Sequence, residues 1–212
     1  MEYRLGDFVT HDPVPMCKSF ISYADLQKLA VLEWPKSLAA EYLRRANTPN
    51  QLDILCEVVR ERGRKTKDLP SPSDVVVHLR LGDTVDGKNV SKLWEDGLSM
   101  SQVWYVHPRK YYEKAESELK NTTTSVVIVG SASHSYLADH SSSELYRDRV
   151  TQFFKEKGYA VRHRWEKSVD EDFTFMTHAP NVILTGGGFS YTIGECVRRN
   201  SGHVNSNYDR YG

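Results

Sequence analysis

Asp74-Val75-Val76-Val77-His78-Leu79-Arg80-Leu81-Gly82-Asp83 is an apolar run that ends abruptly in a histidine, an arginine and an aspartate. Side chains alternate across a strand, so Val75, Val77 and Leu79 share one face and Val76, His78 and Arg80 the other. The polar groups therefore gather where the strand stops. In open α/β sheets ligands bind in the crevice beyond the carboxyl ends of the strands, and an arginine emerging there is suited to holding a phosphate through several charged hydrogen bonds. The same residues also read as a buried strand closed by a surface salt bridge.

Downstream, Thr84 to Val106 reads as a loop of more than twenty residues, and it carries the acids Asp86, Glu95 and Asp96 opposite the expected crevice. His107-Pro108 opens a helix in which Tyr112, Ala115 and Leu119 share a face. Ser125 to Gly130 is a second buried strand, with Gly130 and Ser131 at its carboxyl end. Ser141-Ser142-Ser143-Glu144 fits a capping box, followed by a helix with Tyr146, Val150, Phe153 and Phe154 inward and Gly158 as its stop. Tyr159 to Trp165 is a third strand, and Ser168-Val169-Asp170-Glu171 is a second capping box opening a short helix. Asn181 to Thr185 is the fourth strand, which Gly186-Gly187-Gly188-Phe189-Ser190 turns into a last helix, Tyr191 to Arg199. The polar tail from Asn200 is expected to fray.

Upstream, Leu52, Leu55, Val58 and Val59 make a helical stripe that Gly63 ends, and Tyr23 to Leu32 and Ser37 to Arg45 have helical spacing. The polar, proline-bearing stretch Lys65 to Ser73 leads into the valine run. The strand, helix, strand, helix rhythm implies an α/β fold: a Rossmann-like, mostly parallel sheet flanked by helices. Residues 1–73 are expected to be a mostly helical segment packed on the main domain, residues 74–212.

With 28 basic and 28 acidic residues in 212, no global field attracts nucleic acid or an anionic membrane. No run approaches the roughly 20 apolar residues a membrane span requires, and the first residues lack a signal-peptide core, so a soluble, cytoplasmic protein is expected. Cys17, Cys56 and Cys196 are few, odd in number and far apart, which argues against a disulfide framework and for a reducing compartment. Two sequons, at Asn89 and Asn121, would matter only in a secreted protein.

The glycine turn is the second anchor for chemistry. Glycines before a helix let backbone N–H groups approach an anion, and the helix dipole adds a favourable field. The turn lacks the Gly-Lys-Ser/Thr ending of a P-loop and the spacing of a dinucleotide fingerprint. It also reads as a tight strand-to-helix turn that needs positive φ. Asp170-Glu171-Asp172 is similar to the metal-binding Asp-x-Asp of some sugar-transferring enzymes, but it lies in a first helical turn, where the dipole favours carboxylates anyway. No metal site is therefore expected, and Asp172 is a candidate acceptor for a nucleotide base or ribose.

Together, His78-Leu79-Arg80-x-x-Asp83, His107-Pro108, Asp170-Glu171-Asp172-Phe173 and Gly187-Gly188-Phe189-Ser190 resemble the motifs of fucosyltransferase-like glycosyltransferases. That group includes α1,2- and α1,6-fucosyltransferases and protein O-fucosyltransferases, and the match covers about residues 74 to 199. The resemblance implies one nucleotide-sugar-binding half of a GT-B fold, with GDP-fucose as donor substrate, a glycan or glycoprotein as acceptor and no further cofactor. It implies that Arg80 holds the β-phosphate and aids departure of the leaving group, and that His78 lines the same pocket. Asp172 would meet the guanine or ribose, and Gly187, Gly188, Phe189 and Ser190 the diphosphate, with Gly130 and Ser131 at the neighbouring strand end. Several relatives carry two successive arginines, where this chain has Leu81 after Arg80. Only some 73 residues precede the motif strand, so a reduced, essentially one-domain form or one module of a longer polypeptide is expected.

Inverting transfer needs a base on one side of the anomeric carbon and positive groups on the other. Asp86 and Asp83 are the candidates for that base, with Glu95 behind them, and Asp83 also reads as tied to backbone amides or to Arg80. Two alternatives stand beside this reading: a transferase with a rhamnose or xylose nucleotide as donor, and a non-catalytic nucleotide-sugar or glycan-binding module.

Overall fold

The valine run is strand β1 (Asp74–Arg80), and it lies at the centre of a five-stranded sheet. A computed structural model describes residues 51–96, 105–119, 122–132, 139–165 and 167–205 of the chain. The helical spacings at Tyr23 to Leu32 and Ser37 to Arg45, and Cys17, lie outside the described residues. The elements follow in the order α1 (Gln51–Gly63), β1, a 3-10 turn (Gly82–Thr84), α2 (Val90–Asp96), α3 (Arg109–Ser117), β2 (Ser125–Ser131) and α4 (Ser141–Glu156). After these come β3 (Ala160–Trp165), α5 (Val169–Thr177), β4 (Asn181–Leu184), α6 (Gly187–Arg199) and β5 (His203–Asn205). Strand order is β3-β2-β1-β4-β5, and every pairing is parallel. The expected α/β architecture is thus present, with a sheet that is wholly parallel among the described strands.

Alternation along β1 assigns the two layers. Val75, Val77 and Leu79 pack with Val126, Ile128 and Ile183 against residues of α2, α3 and α4, including Trp94, Tyr112, Tyr146, Phe153 and Phe154. Val76 packs with Val127, Val129, Val182 and Leu184 against α1, α5 and α6, through Cys56, Val59, Phe173, Met176 and Ile193. Burial on both faces is why β1 is continuous in apolar residues rather than alternating.

Four sequence expectations are revised by the structure. Helix α4 has no capping box: His140 is its N-cap without a side-chain hydrogen bond, and Asp86 from the distant β1 loop accepts from Ser143 N at 3.0 Å instead. Helix α6 begins at Gly187, not Tyr191, because the glycines form its first turn. The Thr84 to Val106 stretch is not all loop, since it carries α2, whose start is capped by Asn89 Oδ1 accepting from Lys92 N at 3.1 Å. The polar tail does not simply fray: His203–Asn205 adds an edge strand whose Asn205 lies opposite Ile183.

A further correction concerns the cysteines. Cys56 and Cys196 form a disulfide across a sequence separation of 140, with Cα atoms 5.0 Å apart. Distance along the chain concealed the pair, because α1 and α6 are neighbours in one layer only after the whole sheet is assembled. Such bonds persist in oxidising compartments, so the ground for expecting a reducing, cytoplasmic setting is gone. Among the described residues no helix is long and apolar enough to cross a membrane. Helix α1 also packs on the sheet through Val59 and meets α5 through Arg62, which binds Asp170 at 3.2 Å.

Closing so long a loop restricts the unfolded chain strongly, so reduction, or Cys196→Ser, should cost about 2–4 kcal/mol of stability. Thermal melting with and without reductant measures it, and an unchanged melting curve in Cys196→Ser would deny the bond a stabilising role.

Candidate functional site

Strand order decides where a ligand fits. From β1 the chain crosses to β2 through the α2/α3 layer, whereas from β4 it crosses to β5 through α6 on the opposite face. Adjacent strands whose exits diverge leave a crevice at their carboxyl ends, here between β1 and β4. His78, Arg80, Thr185 and the glycine turn all lie at this point.

On the face of β1 that looks toward α6, His78 is buried, and its Nδ1 lies 2.7 Å from Ser190 Oγ. Ser190 Oγ also accepts from Gly186 N at 3.3 Å, so one hydroxyl ties the strand to the turn. Gly186 and Gly187 have φ of 121° and 85°, the region that favours glycine, and this lets the chain reverse tightly enough to bring Ser190 back over β1. The Phe189 ring meets His78 edge-on at 5.5 Å and Phe173 at 5.5 Å, wedging α6 against α5. Gly188 follows in the same first turn, and no side chain caps the start of α6.

Arg80 is held by its backbone and, among the described residues, engaged at one point of its fork. Its N–H donates to Thr185 Oγ1 at 3.0 Å, linking the ends of β1 and β4. Its Nη2 donates to Asp83 at 2.8 Å, while its Nε is buried with no hydrogen-bond partner among the described residues. Ser131 lies opposite Arg80 in the β1/β2 register and Gly130 opposite Leu79. A side chain at Gly130 would meet Leu79 O at 2.8 Å and the Trp165 ring at 3.2 Å, so a glycine is required by close approach.

The acids divide. Asp83 is the one exposed residue of the 3-10 turn beside Arg80, between the buried Gly82 and Thr84. Asp86, by contrast, has a side chain with 0 % exposure: Oδ1 accepts from Ser143 N at 3.0 Å and Ser143 Oγ at 2.5 Å, and Oδ2 lies 2.9 Å from His140 Nδ1. Glu95 is exposed on α2. Asp172 receives Arg164 Nε at 2.8 Å, and that arginine also pairs with Asp68 and lies over Phe175 at 4.6 Å. Burial pushes the Asp172 carboxyl up to about 6 despite the opposing pull of the Arg164 guanidinium. Asp170 is buried against Arg62, so each acid of the Asp-x-Asp faces an arginine.

Beneath the crevice, His107 is buried and stacked on Tyr111 with ring centroids 3.9 Å apart, and it hydrogen-bonds the Thr185 backbone. Burial pulls its imidazole down to about 4, so it is neutral at pH 7. Tyr111 Oη donates to Leu184 O at 2.5 Å, and Tyr146 Oη donates to His107 O at 2.5 Å. These contacts brace β4 where it meets Arg80. Sequence reasoning missed Thr185, Tyr111 and Arg164; only the position of Thr185 at a strand end and the His-Pro helix start pointed toward them.

No protein-family model and no curated protein matches the chain. Among solved structures the chain is similar to POFUT1 in complex with GDP, at 13 % identity over 74 % of this chain and 51 % of that one, with a TM-score of 0.43. It is also similar to POFUT1 in complex with GDP-fucose, at 12 % identity over 70 % of this chain and 46 % of that one, with a TM-score of 0.39. The chain therefore spans about half the length of the solved chains it matches.

The low value at His107 has a defined sign. Unfolded, the imidazole takes up a proton near pH 6.5, whereas folded it does so only near 4, so stability falls as pH drops through that window. The loss amounts to about 3 kcal/mol at most. Asp172 acts oppositely, since its raised value adds stability below about pH 4 that is lost as pH rises through about 6. His107→Gln should flatten the acid-side decline by about 3 kcal/mol between pH 6.5 and 4, measured by urea unfolding across that range. An unaltered slope would mean the imidazole is not buried neutral.

Proposed function

We propose that this chain is a fucosyltransferase-like glycosyltransferase that binds a nucleoside-diphosphate deoxyhexose, GDP-fucose, at the β1/β4 switch point and transfers the sugar to a glycan hydroxyl with inversion and without metal. The observation that carries this reading is the Arg80 Nε, a buried cationic donor with no partner among the described residues, at the mouth of the crevice. An unsatisfied buried donor on a charged group is costly, and an oxygen of a diphosphate supplies what it lacks.

The roles follow from position. Arg80 takes the β-phosphate and the charge that develops on it as the sugar departs, a contact that strengthens in the transition state. His78 and Phe189 shape the wall, and Gly187, Gly188 and Ser190 form the helix start that faces the diphosphate. Gly130 and Ser131 close the β2 side. Asp172 serves the base or ribose through Oδ2, the oxygen not bound to Arg164 Nε. The acceptor hydroxyl needs a carboxylate, and with Asp86 sealed against Ser143 and His140 that part falls to Asp83. Asp86 then serves by fixing the β1 loop to α4.

A second reading, a nucleotide-sugar-binding module without turnover, draws on the same sealing of Asp86. Release of free GDP from GDP-fucose separates the two, because a module binds the donor and leaves it intact.

Arg80→Ala should leave the melting temperature near wild type and lower kcat/KM for GDP-fucose by roughly 100-fold or more, the scale of losing one preorganised oxyanion donor. Near-wild-type kinetics would remove Arg80 from the site.

Activity should survive EDTA, since Asp170 and Asp172 are each held by an arginine and Arg80 with the α6 amides neutralises the leaving group. A loss on chelation that Mn²⁺ restores would make these two acids ligands and end the metal-independent reading.

A further inference from the structure

The Arg80–Asp83 contact engages a single donor of the guanidinium. A guanidinium offers an anion two edges with paired donors, Nε with Nη2 and Nη1 with Nη2, and carboxylates commonly take both donors of one edge. Here Asp83 takes Nη2 alone, at 2.8 Å, while the neighbouring Nε is buried and bound to nothing among the described residues. Nη2 belongs to both edges. Nη2 carries one N–H toward each edge, so a diphosphate that grips either edge with two oxygens brings its charge against the Asp83 carboxylate already bound there and competes with it for Arg80.

The turn that carries Asp83 permits this without refolding. Its backbone is fixed by Val85 N and Asp86 N donating to Gly82 O at 2.9 and 2.8 Å, and by Thr84 Oγ1 donating to Arg80 O at 3.0 Å. The Asp83 side chain has no other partner among the described residues and is 30 % exposed, against 13 % for Arg80. Rotation of one side chain into water is enough to free the fork. The drive is electrostatic, because a diphosphate beside Arg80 brings like charge up to the Asp83 carboxylate.

We propose that Asp83 is a built-in competitor for the anion site: it holds Arg80 until the donor diphosphate displaces it, and once displaced it serves as base for the acceptor hydroxyl. The inference rests on the donor site described under the proposed function. In the step it serves, the acceptor oxygen forms a bond to the anomeric carbon as the bond from that carbon to the β-phosphate oxygen breaks. The electron pair stays on the diphosphate, opposite Arg80, and the hydroxyl proton passes to Asp83. The donor thus unmasks the base that its own transfer requires.

The test titrates GDP and inorganic pyrophosphate separately into wild type, Asp83→Asn and Arg80→Ala by calorimetry, and follows GDP release from GDP-fucose with the same proteins. Asp83→Asn keeps the shape and removes the competing charge, so it should bind both ligands roughly 5- to 10-fold more tightly than wild type. Its turnover should fall by roughly 100-fold or more. Equal or weaker binding in Asp83→Asn, with an unchanged melting temperature, overturns the competition. Tighter binding with undiminished turnover overturns the role as base. Pyrophosphate binding without GDP binding would end the nucleotide reading, yet the Asp83→Asn comparison on pyrophosphate would still decide the competition. Absence of binding by every protein would end both.

Discussion

A histidine placed on an otherwise apolar strand face imposes the constraint on which this site depends. His78 stands on the same face as Val76, between layers that exclude water, and a buried polar ring without a partner is costly. Ser190 provides the partner at 2.7 Å, but only because two glycines with positive φ fold the start of α6 back over β1. Satisfying one ring nitrogen therefore fixes the distance between the central strand and the last helix. It also fixes the shape of the crevice between them.

Arg80 inherits its position from that arrangement. Its backbone is tied to Thr185, Thr185 is tied to His107, and His107 is stacked on Tyr111, which itself holds Leu184. The stem of the arginine is thus set by a chain of buried contacts that runs through to the α3/α4 layer. Its fork is not, being held on one side by a single exposed carboxylate. Rigid placement with a loosely committed charge is what recognition of a diffusible anion calls for, since the entropy of ordering the side chain is already spent in the fold.

Much of this was legible in the sequence, for reasons that differ by residue. The continuous valines of β1 announced a strand covered on both faces, and His78 and Arg80 announced its polar end, because both signals are local. The crevice glycines were legible for the same reason. Asp86 was not: six residues after Arg80 it looked poised over a ligand, yet it is spent on capping α4, a duty set by an element more than fifty residues away. The capping box read at Ser141 failed as the other half of that substitution. Strand β5 was too short and polar to stand out, because an edge strand of three residues draws its stability from β4 rather than from its own composition. Thr185 and Arg164 were hard to read because their partners, Arg80 N for the first and Asp68 and Asp172 for the second, come from other elements of the fold.

The Cys56–Cys196 bond has a consequence for how the molecule is made. Its two ends lie in the first and last helices described, and the sheet that brings them together contains every strand from β1 to β4. During synthesis Cys56 leaves the ribosome long before its partner, and any thiol it meets in the interval is the wrong one. Correct pairing becomes favourable only when α6 has docked beside α1, which requires β4 already seated against β1. The crosslink therefore records completion: a molecule that carries it has brought its central strand, its glycine turn and its last helix into register.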